Sequence, residues 1–124
     1  MKFVNIDVDE QGHSFFRDVD LPQYGTAQRI SSKNQKVLWW KMTQSKPGHF
    51  VDFQRAPALM FVAVFSGQMN ITVSNGETRH FTRGDMLTMW DNRCTIHYAD
   101  GGYDGHRRVM HRMTVTGEIP IGVS

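Results

Sequence analysis

Polar and apolar residues alternate with a period of two over much of this chain, and that spacing predicts strands. Val4, Ile6 and Val8 are separated by polar residues, and Met69, Ile71 and Val73 alternate with Gln68, Asn70 and Thr72. Successive side chains on an extended backbone point to opposite faces, so each stretch reads as a strand with one face buried. Val37 to Met42 (VLWWKM) is aromatic and β-favouring, and Leu59 to Phe65 is a continuous apolar run of strand length. Thr78 to Phe81, the MLTMW stretch after Asp85, Cys94 to Tyr98 and Arg107 to Thr116 complete the series. No window sustains apolar residues at i, i+3, i+4 and i+7 over three turns, so no amphipathic helix is predicted.

Turn signals separate these runs. Ser74-Asn75-Gly76-Glu77 predicts a two-residue type I′ hairpin, in which both central residues take positive φ. Arg83-Gly84-Asp85 predicts a turn, and Gly101 to Gly105 a loop. Many short strands between turns, without helices, predict an all-β barrel or sandwich. With no repeat, low-complexity tract or linker, residues 1–124 read as one domain, the usual size of a single core.

Composition removes several partners. Fourteen Lys and Arg against twelve Asp and Glu leave a net charge of +2, too little for a phosphate-tracking surface, so no nucleic acid is expected. The longest apolar run, Ala58 to Phe65, is eight residues, against the ~20 that span a bilayer, so no membrane is expected. The start, MKFVNIDVDEQG, places acids where an export signal has its apolar stretch. A single cysteine, Cys94, makes no intrachain disulfide, and the expected location is the cytoplasm. Cys94 reads as a small core residue. Met60, Met69, Met86, Met89, Met110 and Met113 fall in strand-like runs and read as core fillers.

The block from Lys46 to Asp85 resembles a small cupin. It carries a Pro-Gly before a strand, then APALMFVAVFSGQMNITVSNGETRHFTRGDML, with glycines at Gly67 and Gly84. The resemblance implies a double-stranded β-helix, or jelly-roll barrel, in which Gly67 ends one strand, the Asn-Gly hairpin joins two motifs and Gly84-Asp85 opens the second. Farther on, GDMLTMWDNRCTIHY and HRRVMHRMTVTGEIP resemble the C-terminal end of the taurine dioxygenase family, iron(II)- and 2-oxoglutarate-dependent oxygenases built on the same barrel. That resemblance implies iron(II) and 2-oxoglutarate as cofactors. It makes His97 the distal iron-binding histidine, Arg108 the holder of the 2-oxoglutarate carboxylate, and Arg112 a second arginine contacting acidic substrates.

The remaining ligands are a different matter. An iron site of this kind needs two histidines and a carboxylate on one face of the metal. Counted back from Gly67, the early ligand positions fall near Gln54, Ala56 and Met60, none of them an ordinary ligand for a hard metal. Gln54 is read as a ligand-binding residue instead. His49 and Asp52 are the nearest substitutes, but their i, i+3 spacing on a strand sends the side chains to opposite faces, so only a turn or bulge makes them converge. His80 reads as an outer-surface residue, as do His106 and His111. Asp91-Asn92-Arg93 reads as a turn whose side chains bond local backbone. Of Trp39 and Trp40, facing opposite sides of a strand, one is expected in the core.

The arginines admit two orientations. Arg108, Met110, Arg112, Thr114 and Thr116 share one strand face; Arg107, Val109, His111, Met113 and Val115 share the other, more apolar one. If helices cover the apolar face, the arginines point inward and require an anion between them, because guanidinium groups buried without one are strongly destabilising. In a bare barrel they face water. Three functions stay open: a small cupin holding a small anionic, carboxylate-bearing molecule beside an incomplete metal site; an iron(II)/2-oxoglutarate oxygenase using His97, Arg108 and a carboxylate such as Asp52; and an interaction module, a homodimer paired through an edge strand near the N-terminus. The length weighs against the second, because 124 residues leave no chain for a lid that excludes water. The two resemblances fit either a mosaic or a diverged cupin.

Overall fold

The alternating pattern is realised as strands throughout the computed structural model, which describes residues 2–20, 24–26, 28–31, 34, 37, 39–56, 60–90, 96–97, 102–103 and 110–123. In chain order they are β1 (Lys2–Val8), β2 (Ser14–Asp20), β3 (Tyr24–Thr26), β4 (Arg29–Ser31), β5 (Met42–Gln44), β6 (Phe50–Arg55), β7 (Met60–Val73), β8 (Thr78–Thr82), β9 (Met86–Met89), β10 (Ile96–His97), β11 (Gly102–Tyr103) and β12 (Met110–Val123). The described residues are all-β. No helix among them is long and apolar enough to cross a membrane.

The organising element is β7. The β8 strand lies antiparallel to Gln68–Thr72, and β9 continues along the same edge against Met60–Ala63. Between them Gly84 N donates to Val64 O (2.8 Å) and Val64 N to Asp85 O (3.0 Å), so the ladder runs through the turn. On the other edge β12 follows β7 along its length, with β6 and β5 beyond its two ends. The β1 strand joins β9 in parallel and carries β2 antiparallel. The result is a mixed sheet in the order β2-β1-β9-β7-β12-β5, with β6 on β12 and β8 on β7. Among the described residues it stays open: the ladder ends at β2 and at β5.

Gly67 bends this sheet. In β7 the inward residues are Met60, Val62 and Val64 before it, and Met69, Ile71 and Val73 after it. A strand alternates strictly, so a switch from even to odd positions demands one extra residue, a bulge. Gly67 has φ 79°, and Gly84 in the opposing arm has φ 91°. The bend brings both ends of the sheet onto one core: Ile6, Val8, Phe16, Val64, Leu87 and Met89 from one side, Met69, Ile71, Val73 and Phe81 from the other. The Phe16 and Phe81 rings meet across it at 6.1 Å.

Polar groups that this folding buries are paired, as burial demands. Ser14 N donates to Ser74 Oγ (2.6 Å) and Ser74 N to Ser14 Oγ (2.8 Å), pinning the β7–β8 hairpin tip to the start of β2. Asn75 N adds a bond to Ser14 O (3.1 Å). Asn5 ties β1 to β9: its Nδ2 donates to Trp90 O and its Oδ1 accepts from Thr88 Oγ1. The buried Asp7 carboxylate takes Arg17 at 2.8 Å.

Four expectations change on contact with the structure. Gly67 does not end a strand; it lies within β7 and bends it. The Asn-Gly hairpin is present, but only Gly76 has positive φ, and Gly76 N bonds Val73 O (2.9 Å). That is the pattern of a three-residue loop closed by a glycine bulge, with Asn75 Oδ1 accepting from Glu77 N (2.9 Å) in place of a left-handed Asn. Of the described residues of VLWWKM only Met42 is in a strand, and Trp39 and Trp40 are both exposed, at 44% and 67%. Without a ladder there is no pleat to turn one ring inward. The last strand runs past Thr116 to Val123.

Candidate functional site

Arg112 is the one candidate site arginine among the described residues, and its surroundings follow from a second bulge. In the β6–β12 ladder His111 faces Gln54 and Met113 faces Val51, so Asp52 and Phe53 together oppose Arg112. Two side chains of β6 are thereby presented to one of β12. Met113 packs on the core, which leaves Arg112 on the opposite, solvent-facing side, half-buried. Its Nε and Nη2 donate to Asp52 Oδ1 at 3.1 and 2.9 Å. The guanidinium carbon lies 4.4 Å from the Phe53 ring centroid and 5.5 Å from that of Phe50, within cation–π range.

This clamp fixes a guanidinium with one edge in use. Asp52 engages the Nε–Nη2 side through a single oxygen, so Nη1 and the second hydrogen of Nη2 form an open fork. A planar fork of this kind matches a carboxylate or sulfate bidentately. The Asp52 carboxyl is held below the ordinary aspartate range, first by the Phe53 backbone N–H (2.7 Å) and then by Arg112. A depressed native value means that the folded chain binds fewer protons than the unfolded one just below the unfolded value. The contribution of the pair is therefore complete above that value and lost as pH falls through the native one. Carbon-detected titration is expected to place the Asp52 midpoint below the ordinary value, and Arg112→Ala to raise it only part of the way, because the Phe53 N–H remains.

The other candidates are scattered. His49 is exposed and closes a turn, its N bonded to Lys46 O (3.0 Å), just before β6. Asp52, on the strand itself, is committed to Arg112. Gln54 is exposed on β6, two residues from the Asp52 clamp, while Ala56 is fully buried and Met60 half-buried. His97 is placed by its backbone in β10, opposite Gly102 in β11. Arg108 lies outside the described residues, as do Arg107, His106, Cys94 and Asp91-Asn92-Arg93. His80 sits on the outer face, Nδ1 against Asn70 Oδ1 at 2.6 Å. Among the described residues no three of His, Cys, Asp and Glu converge as metal ligands.

The pairing of Asp52 with Arg112 had no signal in the sequence, since sixty positions separate them and only the bulge brings them together. Arg79 carries no signal in the sequence either: it reaches from β8 to Asp18 on β2 (2.8 Å) and lies 5.1 Å over the Phe16 ring.

No family model matches the chain. It is 35% identical over 80 residues to an alpha-ketoglutarate-dependent sulfate ester dioxygenase of Pseudomonas putida, across 61% of this chain and 26% of that protein. It is 32% identical over 80 residues to an alkylsulfatase of Acinetobacter baylyi, across 60% of this chain and 24% of the relative. The matched part thus spans about a quarter of the length of these curated relatives. The likeness supports a relationship of the kind that the C-terminal motifs resemble.

Proposed function

We propose that the chain binds a small organic anion, carboxylate- or sulfate-bearing, at the open fork of Arg112, with Arg108, four residues earlier in the sequence, as a second cation. The observation that carries this reading is the bulge that holds the Arg112 guanidinium by one edge and leaves the other available. The relatives support the ligand class, since one is named for alpha-ketoglutarate, a dicarboxylate, together with sulfate esters, and the other is named an alkylsulfatase. Arg108 enters by the motif alone. In this reading the open sheet belongs to a double-stranded β-helix.

The test is calorimetric titration of the chain with 2-oxoglutarate and with butyl sulfate, with butanol as the neutral control. Saturable binding of the anions and none of butanol is expected. Loss of two charge-assisted hydrogen bonds, each worth about 1.5–3 kcal/mol, predicts that Arg112→Ala weakens binding by at least ~10-fold. Equal affinity in the Arg112→Ala and Arg108→Ala variants overturns the reading.

The likeness to the dioxygenase favours a second reading, in which His97 contributes to an iron(II) site and Arg108 holds 2-oxoglutarate. When bound, iron(II) with 2-oxoglutarate supplies activation of oxygen. The described residues do not fit such a centre: His49 is exposed in a turn, and Asp52 is bound to Arg112 and the Phe53 N–H. Anaerobic iron(II) titration in the presence of 2-oxoglutarate separates the readings. A visible chelate band at stoichiometric iron supports the second; no band and no retained iron removes it.

A further inference from the structure

The clamp on Arg112 sets an anion beside the fork as well as a cation in it. Asp52 Oδ1 accepts from Nε at 3.1 Å and from Nη2 at 2.9 Å, on one edge of the guanidinium plane. A ligand held by the Nη1–Nη2 edge takes the other hydrogen of Nη2. Two oxygens on the two hydrogens of one trigonal nitrogen, each at an ordinary bond length, stand about 5 Å apart. The Phe53 N–H donates to the same Oδ1 at 2.7 Å, and this bond, with Arg112 second, holds the carboxyl below the ordinary aspartate range. Asp52 is therefore ionised at neutral pH. The bulge fixes the spacing, since β6 presents Asp52 and Phe53 to a single residue of β12.

The Asp52–Arg112 pair carries one charge of each sign, so its fork offers hydrogen bonds without a net charge of the pair's own. A head group with one negative charge satisfies both donors. A second charge on the same head meets no further donor of the fork, has more hydration to lose and lies close to the Asp52 carboxylate. Building on the anion-binding reading of Arg112, we propose that Asp52 is a specificity-determining residue, whose carboxylate makes the fork favour singly charged heads, sulfate esters and carboxylates, over doubly charged ones such as phosphate monoesters. A dicarboxylate such as 2-oxoglutarate passes, because its two charges sit on separate groups and one alone meets the fork. The side chains are 69% exposed for Asp52 and 39% for Arg112, so water and salt screen the repulsion in part. A carboxylate that only held the guanidinium in place would, once removed, weaken singly and doubly charged ligands alike.

Butyl sulfate and butyl phosphate share a tail and a tetrahedral head and differ in charge. At pH 8 the sulfate carries one charge and the phosphate, with a second pKa of about 6, carries two. Both are titrated calorimetrically, as sodium salts at about 0.01 M ionic strength, into the full chain and into its Asp52→Asn variant. Asparagine keeps an acceptor of the same shape and removes the charge. Unit charges about 5 Å apart in water predict that Asp52→Asn improves the affinity for butyl phosphate at least ~3-fold more than that for butyl sulfate. Asp52→Glu, which retains the charge, is expected to stay nearer the wild-type ratio. A sulfate-to-phosphate ratio unchanged by Asp52→Asn, or shifted as far by Asp52→Glu, overturns the role of Asp52, even where Arg112→Ala weakens butyl sulfate and so upholds the site. No binding of butyl sulfate to the wild type, or binding indifferent to Arg112→Ala, removes the anion site and the selectivity with it.

Discussion

Leu87→Ala is expected to lower the unfolding free energy by about 2–5 kcal/mol, the cost of truncating a fully enclosed leucine. Leu87 sits in the short β9, opposite Val4 of β1 on one side and Val62 of β7 on the other. All three side chains project into the core, so the alanine leaves a cavity in the row that couples the N-terminal hairpin to the long strand. The neighbours cannot close it by sliding, because β9 is anchored at one end by the Gly84–Val64 bond and at the other by Trp90 N on Ile6 O. Urea unfolding monitored by tryptophan fluorescence reads the loss as a lower midpoint. Phe61→Ala, on the opposite face of the same ladder and half-exposed, is the control and is expected to cost far less. Equal costs at the two positions rule out the assignment of inner and outer faces.

Leu87 and Phe61 also show what the pattern of residues discloses. Within one ladder the alternation marks the inward apolar set, which Val4, Ile6, Val8, Leu87 and Met89 follow, while Asn5 and Asp7 on the other face of β1 are buried on polar partners. Which of two alternating sets is inward in a wholly apolar run such as MFVAVF is not encoded locally. There the choice is made by the bend at Gly67, which sends Phe61 and Phe65 outward and Met69, Ile71 and Val73 inward. The all-β class was legible because it rests on short-range periodicity. The folding of the sheet was not, because it depends on one extra residue seen only against its partner strand. The hairpin type failed for a related reason: Asn75 uses its side chain to cap Glu77, and the positive φ falls on Gly76 alone.

The candidate site divides along the same line. Arg108, Arg112 and His97 stand out as motif residues because their types and spacing carry the resemblance. What Arg112 does in the fold is set by Asp52 and Phe53, which only a bulge can present together. The same pairing alters the status of Asp52 as a metal ligand: its Oδ1 accepts from Arg112 Nε, Arg112 Nη2 and the Phe53 backbone, so a metal held by both carboxylate oxygens must displace the arginine. For an anion the sign is opposite, because Asp52 positions the guanidinium without using its end.

Gly67→Val tests the feature on which the fold turns. At φ 79° a β-branched side chain collides with its own backbone, and residues forced into such a conformation carry about 1–3 kcal/mol of strain. Gly67 is buried as well, so the added methyl groups have no solvent to occupy. The chain can relieve the strain only by deleting the bulge, and that slips β7 by one residue against β8 or β9. A slip of one exchanges the two faces, exposing either Met60, Val62 and Val64 or Met69, Ile71 and Val73. The variant is therefore expected to lose at least ~1–3 kcal/mol in denaturant unfolding and to bind a hydrophobic dye in the native baseline, where the wild type does not. Gly67→Ala, with no branching at Cβ, is expected to lose less and to keep a dye-free baseline. Wild-type stability and a silent dye in the valine variant exclude a left-handed residue at the bend, and with it the fold-back that forms the core.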